Sequence, residues 1–458
     1  MAERNATLEN TIEALTRQKK YPALRDILVT MNPADIAVLF DGLEERTLPL
    51  LFRLLPKDLA AETFVEMEPE PQELLIRGFS DSELKEVVDE LYVDDAVDLV
   101  EEMPANVVNR ILRQADAETR KLINDILKYP EDSAGSIMTT EYIELRPSMT
   151  VSDAIKNIRR NGSESETIST CYITDEGKHL IGIVSIRDIL LSEEDALLSD
   201  IMEEHVISVS TLTDQEEATS MISKYNFTVL PVVDGEQRLV GIITVDDALD
   251  VMETEATEDI EIMGGVTPVD TAYLRTSVFT FWHARIPWLM LLMIGATFTG
   301  MILNHFESAL AQITALTMFI PMLMDTGGNS GSQCSVTVIR ALSLGEIKTS
   351  DLFAVIWKEI RVAVLCGVSL AAVSFVKIML IDKMLLGNDD ITLLVALTVC
   401  VTMALVVLIA KFIGCTLPML AETMGLDPAV MSSPFITTIV DALSLLIYFL
   451  IASLLLGT

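Results

Sequence analysis

The chain has 458 residues, of which 50% are hydrophobic, yet its formal net charge is −36. From Met263 onward there are 12 acidic and 9 basic residues, a net charge of −3, which leaves −33 for the first 262 residues. Such a density of negative charge attracts cations and argues against nucleic acid as a partner. The sequence predicts an acidic soluble half followed by a membrane half.

The cysteines and the N-terminal segment set two further expectations. Four of the five cysteines fall in the apolar half, and no two have a short spacing. Neither a disulfide framework nor a zinc site is therefore expected. The first 20 residues contain no apolar core of the kind that a signal peptide needs, so we expect the acidic half to stay in the cytoplasm.

Residues 1–130 are predicted to form an acidic α-helical solenoid. Short segments with apolar residues at helical spacing follow one another, joined at proline and aspartate. Two of them, LPKDLAAETFVEMEP and YVDDAVDLVEEMP, look like copies of one unit about 36 residues apart, a spacing that fits a helix-pair repeat.

A clearer repeat lies between residues 137 and 252. The segments GIVSIRD and GIITVDD share one frame, each follows a strand-like run, and each unit opens with a Met-rich turn that leads to a strand and a helix start. This pattern resembles a tandem pair of α/β CBS (cystathionine-β-synthase) domains, 137–200 and 201–252. In that family such positions hold the ribose of an adenine nucleotide, which nominates a site for ATP at four residues: Ser185, Asp188, Thr244 and Asp247. A purely structural pair is the alternative.

Five apolar stretches are long enough to cross a bilayer, within an all-α transmembrane domain at 275–458. They are 286–305, 308–340, 362–381, 391–413 and 432–456. Basic residues mark alternate connections, namely Arg340, Lys348, Lys358, Arg361 and Lys411. The positive-inside rule then predicts a multi-pass protein of the cell (plasma or inner) membrane, with its N-terminus in the cytoplasm and its C-terminus outside.

The second stretch contains PMLMDTGGNSGSQ, residues 321–333, which places a carboxylate and three glycines in an apolar segment. Irregular backbone at membrane depth is tolerated only where it is buried in protein or lines a wet cavity. We therefore expect a helix break beside Asp325 and a hydrated path lined by Asp325 and Asn329. The alternative is that Asp325 caps a half-helix.

Asp325 and Asp441 are the acids within these five predicted stretches. An intramembrane carboxylate costs at least about 2.5 kcal/mol unless it faces protein or water. Asp441 is central to a polar stripe with helical spacing, made of Pro434, Thr437, Asp441, Ser444 and Tyr448. Oxygen ligands without histidine or thiolate favour a hard cation such as Mg²⁺, which keeps its water. Asp441 is the candidate ion ligand, with Thr437 and Ser444 beside it, unless these hydroxyls merely bond to a neighbouring backbone.

The order of these parts, with an acidic helix (ALDVMETEATEDIEIMG) between the CBS pair and the spans, resembles the MgtE-type magnesium channels over nearly the whole chain. The resemblance implies a homodimer in the lipid bilayer, with Mg²⁺ as both substrate and regulator. It also implies that Asp441 binds a hydrated Mg²⁺ in the pore. Residues 246–265 would be the family's connecting (plug) helix.

The resemblance further implies a cytosolic Mg²⁺ sensor that closes the pore. Its ligands would be Glu62, Asp94, Asp98, Asp214, Glu216, Asp247, Asp250, Glu255, Glu258 and Asp259. Asn226 departs from the family, which can carry an acid there, so that metal site is weakened. A half with a net charge of −33 cannot pack its acidic faces together without counter-ions, so divalent cations would favour its compact state.

Other functions stay open on the residues alone. A CBS-regulated secondary transporter of another solute would use Asp441 as a proton or Na⁺ relay, and other divalent cations such as Co²⁺ or Mn²⁺ are alternative substrates. No nucleophile, base or cofactor motif stands outside the CBS pair, and the four histidines are scattered, so an enzyme is not expected.

Overall fold

The computed structural model describes residues 11–456 except 13, 44–45, 164, 270–272, 275 and 308–313. It divides into two compact units, one up to Glu253 and one from Thr254. The first contains a helical part and a pair of α/β layers, and the second contains the long apolar helices.

The helical part confirms the predicted run of short helices. Its helices are α1 (Tyr21–Leu28), α2 (Pro33–Asp41), α3 (Leu48–Phe52), α4 (Lys57–Val65), α5 (Pro69–Gly78), α6 (Asp81–Val88), α7 (Val93–Glu102), α8 (Ala105–Gln114) and α9 (Ala117–Ile126). Side-chain oxygens cap several of them: Asn32 accepts from the Ala34 N–H, and Ser80 with Glu83 forms a capping box. Apolar side chains of these helices form one continuous core.

Two three-stranded sheets confirm the CBS pair. The first unit contains β1 (Tyr142–Leu145), α10 (Val151–Asn161), β2 (Thr167–Thr174), β3 (Leu180–Ser185), α11 (Ile186–Leu191) and α12 (Leu198–Ile201). The second contains β4 (Val209–Ser210), α13 (Gln215–Tyr225), β5 (Val229–Val233), β6 (Leu239–Thr244) and the start of α14 (Val245–Met263). In each sheet the first strand pairs parallel with the second, and the second pairs antiparallel with the third.

The apolar helices are α15 (Val278–His305), α16 (Ile320–Ser343), α17 (Leu352–Lys377), α18 (Leu393–Thr423) and α19 (Ser433–Leu456). A 3₁₀ turn (Thr314–Phe319) precedes α16, another (Thr349–Asp351) precedes α17, a π-helical segment (Ile378–Leu385) extends it, and a third 3₁₀ turn (Pro428–Val430) precedes α19. Among the described residues, four segments have the length and hydropathy of a membrane span: Val278–His305, Thr349–Leu385, Leu393–Thr423 and Ser433–Leu456. The 24-residue α16 has the length, but its polar run lowers its hydropathy.

The expected helix break beside Asp325 is wrong. Residues 321–333 lie within the continuous helix α16, and the irregular turn comes earlier, at Thr314–Phe319. A helix satisfies its own backbone groups, so this segment needs no wet cavity for its backbone. Its glycines serve helix packing instead: a Cβ at Gly327 would stand 2.7 Å from the Ser444 hydroxyl, and one at Gly328 would stand 2.7 Å from Thr437.

Helix bounds also change the predicted charge positions. Because α17 and its π-helical extension run to Leu385, they contain Asp382, which pairs with Lys377 at 2.8 Å, so the spans hold more acids than expected. Lys411 lies inside α18, is buried, and pairs with Glu359 of α17 at 3.6 Å. It is therefore a packed interior charge, and the positive-inside argument must rest on the other basic residues.

Candidate functional site

Asp441 lies at the middle of the polar stripe of α19. Its side chain is half-buried, and its Oδ1 atom has no hydrogen-bond partner. Asp325 of α16 is close enough for its charge to act on Asp441. A carboxylate oxygen left unpaired in an apolar helical layer is costly unless an ion or water meets it.

The stripe faces α16 through small and hydroxyl-bearing side chains. Thr437 lies against Gly328, its hydroxyl is 3.1 Å from that of Ser332, and it also donates to the Ser433 carbonyl at 2.9 Å. Ser444 is buried against Gly327. The glycines of α16 thus allow α19 to approach closely, and Asp441 lies between the hydroxyl-bearing residues Thr437 and Ser444 along α19.

A second polar face lies on α16 itself. Asp325, Asn329 and Gln333 are spaced four residues apart, so they share one side of the helix, and all three are exposed in the single chain. Acyl chains do not solvate such groups. This face therefore requires water or another protein surface.

In the first unit, carboxylates from four chain segments converge where α7 meets the CBS layers. They are Asp94 and Asp95 on α7, Glu141 before β1, Glu166 before β2, and Asp246 and Asp247 at the start of α14. We call this set the acid cluster. The strand register explains two members: Tyr142 pairs with Thr167 in the parallel β1–β2 ladder, so Glu141 and Glu166 precede the same end of the sheet.

Electrostatics make the acid cluster costly in the absence of cations. Burial, reinforced by the negative charge of Asp247, raises the pKa of Asp94 well above its usual value and that of Asp95 to about 7. Burial and the charge of Asp95 raise the pKa of Glu166 to about 8. Asp94 Oδ1 and Glu166 Oε2 are buried without hydrogen-bond partners. Each shift records a carboxylate that lacks a stabilising positive neighbour.

The remaining predicted sensor residues of the first unit lie elsewhere. Glu62 on α4 and Asp98 on α7 are exposed. Asp214 caps α13 by accepting from the Glu216 N–H at 2.9 Å, and Glu216 is exposed in the first turn. Asn226 takes a left-handed conformation with φ of 55° at the end of α13, which suits asparagine and gives a backbone reason for the departure from the family.

The connecting helix contains the other predicted ligands. Asp250, in the first unit, is an exposed residue whose carboxyl is partly covered, and this partial burial together with the charge of Asp246 raises its pKa. Glu258 is exposed and Glu255 half-buried in the second unit. Asp259 accepts from the Ser343 hydroxyl at 3.3 Å, and burial with the charge of Asp427 raises its pKa.

The two nucleotide-candidate pairs are in different surroundings. Ser185 donates to Asp188 Oδ2 at 2.6 Å, and Asp188 is exposed at the start of α11. Thr244 donates to Asp247 Oδ2 at 2.5 Å, but Asp247 belongs to the acid cluster and is only partly accessible. Apart from its bond with Ser185, the Asp188 carboxylate is therefore accessible to a ligand from solvent.

Within the described part of the chain, no three histidine, cysteine or acidic side chains already stand close enough to hold a bare ion. Carboxylates so arranged suit a cation that retains its water shell, as Mg²⁺ does. Sequence reasoning missed Asp95, Glu141, Glu166, Asp246 and Asp427. Asp95 and Asp246 carried a signal, because each stands next to an acid that the family resemblance names. The other three lie in loops.

Comparison with known proteins identifies the family. A magnesium transporter MgtE of Thermus thermophilus is 38% identical over 438 residues, covering 95% of each chain. The chain belongs to the MgtE family. A family profile described as a divalent cation transporter matches residues 320–451, one described as the MgtE intracellular N domain matches 31–132, and CBS profiles match 134–194 and 198–254. A Bacillus subtilis MgtE magnesium transporter is 33% identical over 96% of this MgtE-family chain and 95% of its own.

Solved structures support the fold of the first unit. A cytosolic domain of the Mg²⁺ channel MgtE in complex with ATP superposes with a TM-score of 0.51 and 36% identity, covering 53% of this chain and 99% of its own. The soluble part of a magnesium transporter gives the same TM-score at 28% identity, covering 55% of this chain and 99% of its own.

Proposed function

We propose that this protein is a Mg²⁺ channel or transporter that mediates Mg²⁺ uptake and is closed by intracellular Mg²⁺ bound to its acidic cytosolic domains. Family membership and the magnesium transporters among its relatives support Mg²⁺ as the substrate. The observation that carries the proposal is Asp441, an unpaired carboxylate oxygen between hydroxyls on an apolar helix.

Asp441 acts as an outer-sphere ligand in this proposal. Its carboxylate accepts hydrogen bonds from the waters of a hydrated Mg²⁺, which gives up those waters reluctantly. Thr437, Ser444 and Asn329 supply further oxygens along the path, and Asp325 adds negative charge. This arrangement favours a hydrated divalent cation by its charge.

Flux measurements test the pore assignment. Asp441→Ala should abolish or strongly reduce Mg²⁺ flux into liposomes, while the protein still assembles. Asp390→Ala removes one exposed charge from a loop of the same unit and is the matched control, expected to keep normal flux. Normal flux through Asp441→Ala would refute the assignment, and flux that required a proton or Na⁺ gradient would favour a secondary transporter.

The acid cluster and the connecting helix form the sensor in this proposal. Mg²⁺ binding neutralises carboxylates whose mutual repulsion opposes the closed packing of the cytosolic half, so the ion favours that packing by binding it better. Moving a gate from 1:99 to 99:1 requires about 5.5 kcal/mol of such differential binding, which several sites can supply together.

Two experiments test the sensor. Removal of residues 1–130, or neutralisation of Asp247 with Asp250, should leave a channel that conducts but no longer closes at millimolar internal Mg²⁺. In the full chain, Mg²⁺ should also slow proteolysis between residues 129 and 136, where the helical part joins the CBS pair. Cleavage rates indifferent to Mg²⁺ would refute closure by metal bridging.

ATP binding is proposed at Ser185 and Asp188, supported by their open geometry and by the ATP complex of the related cytosolic domain. Thr244 and Asp247 are the weaker pair, because Asp247 faces other acids that repel phosphates. ATP titration should therefore respond to Asp188→Ala much more than to Thr244→Ala. The reverse order would refute this choice of pair.

The protein is proposed to act as a homodimer in the cell membrane, with its N-terminus inside and its C-terminus outside. The exposed polar face of α16, which acyl chains would not solvate, supports a second copy as partner. Mass measurement in detergent tests the dimer, and labelling of cysteines introduced at loop positions tests the orientation.

A further inference from the structure

We propose that Glu166, together with Asp94, holds a divalent cation, in its water shell, between the helical part and the first CBS unit. This inference rests on the proposed sensor and adds a ligand that the resemblance to the family does not name. It assigns Glu166 to cation binding rather than to the packing of the loop before β2.

The N-terminus of α7 is attached beside the loop that contains Glu166. The Val93 N–H, the first of α7, donates to Glu141 Oε2 at 3.2 Å, so the end of α7 is attached to the residue before β1. The Glu166 N–H in turn donates to the Glu141 carbonyl at 2.8 Å. These two bonds put the first turn of α7 beside Glu166.

Asp94 and Glu166 each have a buried carboxylate oxygen without a hydrogen-bond partner. Asp94 is 92% buried, since its relative exposure is 8%, and its carboxylate accepts a bond from the Asp95 N–H while Oδ1 has no partner. Glu166 Oε2 is likewise buried and unpartnered. Glu141 is different, because its carboxylate already accepts from a backbone N–H, so it positions α7 rather than binding the ion.

The surrounding charges identify the ligand class. The charges that act most strongly on Asp94 and Glu166 come from Asp95, Asp246, Asp247 and Glu141, all negative. Unpaired buried carboxylates in such a field are stabilised by positive charge, and the waters of one hydrated divalent cation can donate to both of them.

The test compares Glu166→Gln with Glu193→Gln, which removes the same charge from an exposed position of the same CBS unit. Protease half-life of the full-length protein is measured against MgCl₂ concentration. Glu166→Gln should raise the concentration for half-maximal protection by about tenfold, equivalent to about 1.4 kcal/mol, and it should slow cleavage in EDTA because one repelling charge is gone. Glu193→Gln should change neither.

Simple damage to the fold would speed cleavage both with and without Mg²⁺, so that pattern would overturn the inference. If the MgCl₂ concentration for half-maximal protection were unchanged in Glu166→Gln but raised in Asp94→Asn, the role of Glu166 would be refuted and the proposed sensor would stand. If the cleavage rate of the unaltered protein did not depend on Mg²⁺, the proposed sensor itself would be refuted. Glu166→Asp, which keeps the charge on a shorter side chain, should give a midpoint between those of the unaltered protein and Glu166→Gln.

Discussion

Asp94 and Asp441 both have a carboxylate oxygen without a hydrogen-bond partner, but their surroundings differ. Asp94 stands among other acids in the soluble unit, whereas Asp441 stands between hydroxyls and opposite glycines on apolar helices. Crowded carboxylates respond to cation concentration, since each bound ion relieves repulsion among several groups. Asp441 has one neighbouring carboxylate, Asp325, rather than a cluster, so it is suited to bind one ion at a time during permeation.

The sharpest way to break this comparison is to neutralise each aspartate in turn. Asp94→Asn should preserve Mg²⁺ flux at low internal Mg²⁺ and weaken its inhibition by internal Mg²⁺, whereas Asp441→Asn should reduce the flux itself at every concentration. Flux assays in liposomes with varied internal Mg²⁺ separate the two effects. The comparison fails if both variants lower the maximal flux alike.

The second prediction concerns a carboxylate that is paired rather than unpaired. Lys411→Met should leave the Glu359 carboxylate, which is only 15% exposed, without its cation and destabilise the membrane unit by about 3 kcal/mol. Thermal unfolding in detergent measures this loss. Adding Glu359→Gln to Lys411→Met should restore much of the stability. Lys358→Met, at an exposed position on α17 next to Glu359, should have little effect. Equal losses at the two lysines would contradict the pairing.

The third prediction tests the close helix contact beside the stripe. A Cβ at Gly414 would overlap the Gly331 carbonyl oxygen, so Gly414→Ala must separate α16 from α18. Overpacking of this kind typically costs about 1–3 kcal/mol, and melting in detergent should show it. Gly300→Ala meets nothing within 4 Å and serves as the control. If both substitutions were neutral, the close approach of α16 and α18 would be wrong.

The smallest effect is expected in the helical part, where Glu83 forms an ion pair with Arg53. A hydrogen bond from Arg53, with the bond from the Ser80 N–H, lowers the pKa of Glu83 to about 2. A lowered pKa stabilises the fold above the unfolded pKa, and this contribution disappears as pH falls toward 2. Because the pair is over a third exposed, Arg53→Met should cost at most about 1 kcal/mol at pH 7.

Denaturant unfolding of the unaltered protein and of Arg53→Met between pH 3 and pH 7 tests this prediction. The difference between their free energies of unfolding should narrow as the pH falls. A constant difference across that range would show that Arg53 acts through packing rather than charge.

The sequence by itself predicted the order of the parts, because hydrophobic spacing and charge density are local properties of the chain. Helical spacing alone placed Thr437, Asp441 and Ser444 on one face, and the CBS repeat gave both strand-and-helix units. Asp94 and Asp247 were named through the family resemblance, and the fold brings them into one cluster.

The tertiary structure decided which distant groups meet. Glu141 and Glu166 are unremarkable loop acids in the sequence, and only the parallel pairing of β1 with β2 brings both to the end of α7. The glycines around Asp325 suggested a helix break, yet they lie within the continuous helix α16, where they allow it to pack against α18 and α19. Lys411 was expected to flank a connection at the end of the predicted stretch 391–413, and its pairing with Glu359 shows it to be interior. Long-range contacts of this kind depend on register and helix packing, which no local pattern encodes.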